Sequence, residues 1–101
     1  MQMKIFIRTF SSAVDAQMFN SVLNTKWPEL IKPMTGARFR LLYSESTPNV
    51  STVIWEFSDD KAQEKIEKII ESEILKFTKA LPNRQVHYSG SVELDFTGGE
   101  K

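Results

Sequence analysis

The chain has 101 residues, 41% of them hydrophobic and 26% charged, which gives one domain its own core and is too little for two. Thirteen Lys and Arg balance thirteen Asp and Glu, so no excess of positive charge is present to hold nucleic acid or an acidic membrane surface. No cysteine and a single histidine, His87, exclude disulfides, thiolate catalysis, cysteine zinc sites and a multi-histidine metal site within one chain.

Met1 to Phe10 alternates, with Met1, Met3, Ile5 and Ile7 on one side and Lys4, Phe6, Arg8 and Phe10 on the other, a strand pattern whose aliphatic row is expected to face the core. Lys4 and Arg8 interrupt its apolar residues, so it does not read as a secretory signal, and a cytoplasmic protein is expected. Ser11 and Ser12 are good helix N-caps. Val14, Met18 and Val22, flanked by Phe19 and Leu23, then form an apolar helical stripe expected to end near Trp27-Pro28, with Pro28 starting a further short turn through Ile31. Ala37 to Ser44 alternates as a second strand, with Arg38, Arg40 and Leu42 opposed to Phe39, Leu41 and Tyr43. Val50 to Phe57, apolar on both faces, is expected as a central third strand.

Ser58-Asp59-Asp60 starts a second helix, the Ser58 hydroxyl as its cap and the two carboxylates in its first turn, with Ala62, Ile66, Ile69, Ile70 and Phe77 as its buried stripe, and Pro82-Asn83 breaks it. A long last strand follows, Val86 to Phe96, its apolar row Val86, Tyr88, Val92, Leu94 and Phe96 alternating with His87, Ser89, Ser91, Glu93 and Asp95. Residues 1–96 are expected to make one domain, and 97–101 a flexible tail. The order β-α-β-β-α-β predicts two helices on one face of an antiparallel four-stranded sheet, a ferredoxin-like α+β two-layer sandwich. The other face, carrying Phe6, Phe10, Arg38, Arg40, Leu42 and His87, is expected to be an interface between subunits, with Glu93 and Asp95 placed to pair with the arginines.

The segments "GARFRLLYSESTPNVSTVIWEFSDDKAQEKI" and "RQVHYSGSVELDF" give the chain a resemblance to the dimeric α/β-barrel superfamily, which includes the antibiotic-biosynthesis-monooxygenase-like proteins. Gly36 before the second strand, the aromatic-acidic Trp55-Glu56-Phe57 and the capped helix after it carry the likeness. The resemblance implies a homodimer whose sheets pack face to face and a ligand pocket between sheet and helices in each subunit. Cofactor-free oxygenases of that group activate the substrate's own electron-rich ring, and so need a shaped, dry pocket more than a reactive protein group. No cofactor is expected.

Phe39, Tyr43, Trp55 and Tyr88 are the candidate pocket walls for a small hydrophobic or aromatic molecule, the tyrosines supplying polar groups. His87 is the candidate general acid or base, histidine being the side chain whose ordinary pKa lies nearest neutrality. A monooxygenase-like or isomerase-like enzyme and a non-catalytic ligand-binding or structural dimer both fit these residues. A third reading comes from "IFIRTF", which resembles the first strand of an RNA-recognition motif with Phe6 aimed at the open sheet face for base stacking. The basic, glycine-containing start of that motif's third strand is missing, since Val50-Ser51-Thr52-Val53 stands there.

Overall fold

In the computed structural model, which describes residues 1–99, the elements run β1 (Gln2–Phe10), α1 (Ala13–Ile31), β2 (Ala37–Leu42), β3 (Val50–Phe57), α2 (Asp60–Ile69), α3 (Leu75–Ala80) and β4 (Asn83–Ser91). One π-helical turn, Ile70–Ile74, joins α2 to α3. The strands form a single sheet in the order β2-β3-β1-β4, every neighbouring pair antiparallel, and the helices cover one face. This is the ferredoxin-like α+β sandwich, with β3 central as its two apolar faces require. No helix among the described residues is long and apolar enough to cross a membrane.

Local chemistry sets the helix starts. The Ser12 hydroxyl accepts the Asp15 amide at 3.1 Å, and the Asp59 carboxylate, in place of the expected Ser58 hydroxyl, accepts the Ala62 amide at 2.8 Å. Two helical expectations are corrected. The helix α1 continues through Pro28 to Ile31, and its buried residues are Ala16, Phe19, Leu23 and Trp27, while Val14 and Met18 are exposed. Proline deprives the Asn24 carbonyl of its helical donor, and burial of Trp27 with Leu30 and Ile31 packed on the core offsets that loss. In the second helical stretch the inward residues are Ala62, Ile66, Ile70 and Ile74, with Ile69 and Phe77 only partly buried. Residues four apart on an α-helix drift by about 40°, and the wider π turn reverses that drift so that Ile74 still meets the core.

The largest correction concerns the faces of β1 and β4. Phe6, Arg8 and Phe10 are buried against the helices, whereas Ile7 is exposed, so the expected register is off by one residue. Two phenylalanines and two long aliphatic stems bury more area than Ile5, Ile7 and the methionines, and the cationic heads find partners in the layer below the helices. Cross-strand pairing carries the same shift to β4: Tyr88 lies opposite Ile5 and Val86 opposite Ile7 on the open face, while His87 lies opposite Phe6 on the helix side. The strand β4 also begins earlier and ends sooner than expected. Beyond Ser91 only the Val92 amide continues the ladder, to the Met1 carbonyl at 2.8 Å, and Leu94 and Phe96 are exposed. The tail expected over 97–101 lies outside the described residues at its last two positions.

Gly36 shows why the turn before β2 needs glycine. Its φ is +84°, a β-carbon there would collide with the Ser58 hydroxyl, and its carbonyl accepts the Ser58 amide at 2.8 Å. Gly36→Ala is expected to destabilise the domain by about 1–3 kcal/mol in urea unfolding, because left-handed strain and the clash act together.

Candidate functional site

The space between sheet and helices is an aromatic chamber, and it is nearly full. Trp55 stands 4.7 Å from the rings of both Phe39 and Trp27 and stacks on Phe57 at 5.8 Å. The enclosed volume left among Phe6, Arg8, Leu23, Trp27, Val53, Trp55, Ile70 and Ile74 is about 10 Å³, the room of one water molecule. Phe39 and Trp55 are therefore on the helix side as expected, and they pack on each other and Trp27.

Along the edge of this chamber β1 and β4 set two rows side by side. The inner row is Lys4, Phe6 and Arg8, and the outer row is Ser89, His87 and Gln85, each opposite its β1 partner. The outer row is a shelf, exposed because neither helix reaches over the edge strand. The imidazole of His87 is tilted against Phe6 at 6.0 Å. On the inner row Phe6 carries a cation on either side, the Lys4 ammonium at 5.3 Å and the Arg8 guanidinium at 4.8 Å. The two cations are treated differently. Lys4 pairs with Glu67 at 3.0 Å. Arg8, 2% exposed, lies also 4.9 Å from Phe19 and donates from Nε to the Gln85 amide oxygen at 3.0 Å, its single hydrogen-bond partner among the described residues.

Burial pushes the Arg8 guanidinium down to about 10, which still leaves it charged at neutral pH. The hydrogen bond from Lys4 holds the Glu67 carboxyl below its ordinary value. That ion pair stabilises the fold above the ordinary glutamate pKa, and its contribution is lost as pH falls through the lowered one. In Lys4→Met the fall in melting temperature on acidification is expected to be shallower, measured between neutral pH and pH about 3.

Tyr43 borders a separate open cleft between α1 and β2, with Gln17, Asn20, Ser21, Asn24 and Leu41. At its inner end the buried Ser51 hydroxyl donates to the Asn20 side-chain oxygen at 2.6 Å. The structure thus does not bring Tyr43 and Tyr88 together: Tyr43 is on the helix side and Tyr88, 71% exposed, on the open face. The expectation that Tyr88 faces the helices and His87 the opposite side is corrected by the β1–β4 register. Phe6 and Phe10 likewise leave the interface list, since both are core residues, and with Phe6 goes the stacking platform of an RNA-recognition motif.

Arg38, Arg40 and Leu42 are on the open face as expected. Both arginines reach the chain's own Glu56, at 3.8 and 3.6 Å. Around them the register assembles an apolar field of Met3, Ile5, Ile7, Ile54, Val86 and Tyr88. Sequence reading passed over Arg8 and Gln85 because an arginine within an alternating strand counts as polar. Its place between Phe6 and Phe10 was the available signal.

Fold and chamber together define a class of small ferredoxin-like proteins. No protein-family model and no curated protein sequence matches the chain. Solved structures do. A dimeric ferredoxin-like protein from an uncultured marine organism superposes with a TM-score of 0.76 at 16% identity, covering 96% of this chain and 99% of that one. SnoaB, a cofactor-independent oxygenase from Streptomyces nogalater, gives 0.72 at 18% identity, over 98% and 97% of the two chains. A Deinococcus radiodurans protein provisionally assigned as an antibiotic biosynthesis monooxygenase gives 0.72 at 13% identity, over 97% and 100%. At these identities the likeness is one of fold.

Proposed function

We propose that the protein is a homodimer, two copies packing on their open sheet faces, and that each subunit works on a small aromatic molecule in the manner of the cofactor-independent oxygenases. The dimer reading is supported by the exposed apolar residues Ile7, Leu42, Val86 and Tyr88 gathered on the open face, and by the likeness to a protein described as dimeric. The catalytic reading rests on one observation above the others: the sole imidazole and a buried guanidinium without a carboxylate flank Phe6 on the helix side of the sheet. Such a pair suits a carbon acid whose enol is an electron-rich phenol. His87 takes the proton, Arg8 balances the oxyanion that forms, and the resulting carbanion reduces dioxygen directly. A CH₂ group and O₂ then become a carbonyl and water, with no cofactor in the balance.

The test is oxygen uptake with anthrone as substrate, in buffer containing a chelator. One O₂ consumed per anthrone, slowed about 100-fold or more in His87→Ala, supports the reading. Uptake no faster than in buffer alone contradicts it. A second reading, a non-catalytic ligand-binding or structural dimer, is favoured by the small enclosed volume, because a filled core needs no substrate. Dimerisation without oxygen uptake would select it.

A further inference from the structure

Among the described residues Lys4 pairs with Glu67, Lys26 and Lys76 reach Glu73, and Arg38 and Arg40 share Glu56, all of these cations being at least partly exposed. Arg8 is the one buried cation among the described residues, and it has only an amide. A buried charge without a counter-charge is costly to keep, so its retention calls for a chemical reason. Its surroundings also fix its direction. Phe6 and Phe19 hold the guanidinium by rings at 4.8 and 4.9 Å, and Gln85 binds only Nε, which leaves the two terminal nitrogens as free donors among the described residues.

We propose that Arg8 is the recognition residue for a small aromatic oxyanion, a carboxylate or phenolate. The charged head takes the guanidinium from Gln85 in a bidentate pair, and the ring lies on the β4 shelf against His87. Gln85 is suited to be displaced: it is exposed, it is neutral, and its single bond to Arg8 gives way to a charge-assisted pair that is stronger in this poorly solvated place. The shelf supplies the other half. Gln85, His87 and Ser89 lie uncovered in one row, and the imidazole next to Phe6 gives an aromatic ring a surface to meet. The inference deepens the small-aromatic-molecule reading and rests on it, adding that the molecule is an anion and naming the residue that selects it.

The experiment is calorimetric titration of the wild-type protein with 2-naphthoate and with 2-naphthamide, the same ring with and without the charge. Naphthoate is expected to bind at least about tenfold more tightly than the amide, the ratio set by a charge-assisted hydrogen bond. Two variants with folded spectra complete the test. Arg8→Met keeps the length and apolar contacts of the side chain, and Gln85→Glu gives Arg8 a carboxylate of its own. Both are expected to lose the preference for naphthoate, the second while melting at a higher temperature than wild type. Equal binding of naphthoate and naphthamide would overturn the role of Arg8 and leave the aromatic-ligand reading standing, as would naphthoate binding unchanged in Gln85→Glu. Failure of both compounds to bind at millimolar concentration would overturn the two together.

Discussion

Trp55→Ala is expected to destabilise the domain by about 4 kcal/mol, a drop of roughly 15–20 °C in melting temperature for a chain of this length. The indole is 1% exposed and is enclosed by Trp27, Phe39 and Phe57, and little of this framework is free to collapse into the space it would leave. Domains of this size have about 5–15 kcal/mol of stability in all, so the variant approaches the limit of folding at ambient temperature. The measurement also decides what the residue is. A pocket wall bordering open space loses about half its contacts at the start and would give less than about 1.5 kcal/mol. A core residue gives the full loss, and the 10 Å³ of enclosed volume beside it predicts the full loss.

Arg8→Met has the opposite sign. Lowering of the Arg8 pKa by burial to about 10 corresponds to roughly 3 kcal/mol of unfavourable burial of the charge, present at every pH below about 10 and relieved as pH rises above it. Methionine fills similar space between Phe6 and Phe19 without a charge to desolvate, although it gives up the Gln85 hydrogen bond and the two ring contacts. The balance is expected to be a gain of about 1–2 kcal/mol by denaturant unfolding at neutral pH. Residues kept for function commonly lower stability in this way. A loss of more than 1 kcal/mol would show that the hydrogen bond and ring contacts outweigh desolvation, and that Arg8 is held for structure.

The element order, the antiparallel sheet, the central place of β3 and the capped starts of both helices were legible because each has a local cause: alternation, an N-cap, a loop of hairpin length. The faces of β1 were not. Its odd residues are Met3, Ile5, Ile7 and its even ones Lys4, Phe6, Arg8, Phe10, and both rows are apolar enough for a core. A strand covered by helices on one side and, on the reading proposed here, by a second copy on the other gives alternation no clear sign. One residue of slip then moved His87 and Tyr88 to each other's faces and put Phe6 and Phe10 at the interface in place of Ile5 and Ile7. The candidate site suffered for the same reason. Arg8 was counted among surface charges, while its burial follows only from which face the helices cover. In α1, Val14 and Met18 match the helical period as well as Phe19 and Leu23 do, and the larger rings of Phe19 and Trp27 decided which side turned inward.

The division of the sheet into a ligand side and a subunit side is tested most directly by sedimentation equilibrium of the wild type and of Ile5→Asp at micromolar concentration. Ile5 lies at the centre of the open face, paired with Ile54 on one side and Tyr88 on the other, and it is not part of the helix-side core. The wild type is expected to sediment at twice the 11.6 kDa chain mass, about 23 kDa, and Ile5→Asp at 11.6 kDa with its helix and sheet content intact, because a carboxylate with apolar cross-strand neighbours is costly to bury between two sheets. A wild type that sediments at 11.6 kDa, or an Ile5→Asp variant that remains at twice that mass, would contradict the account.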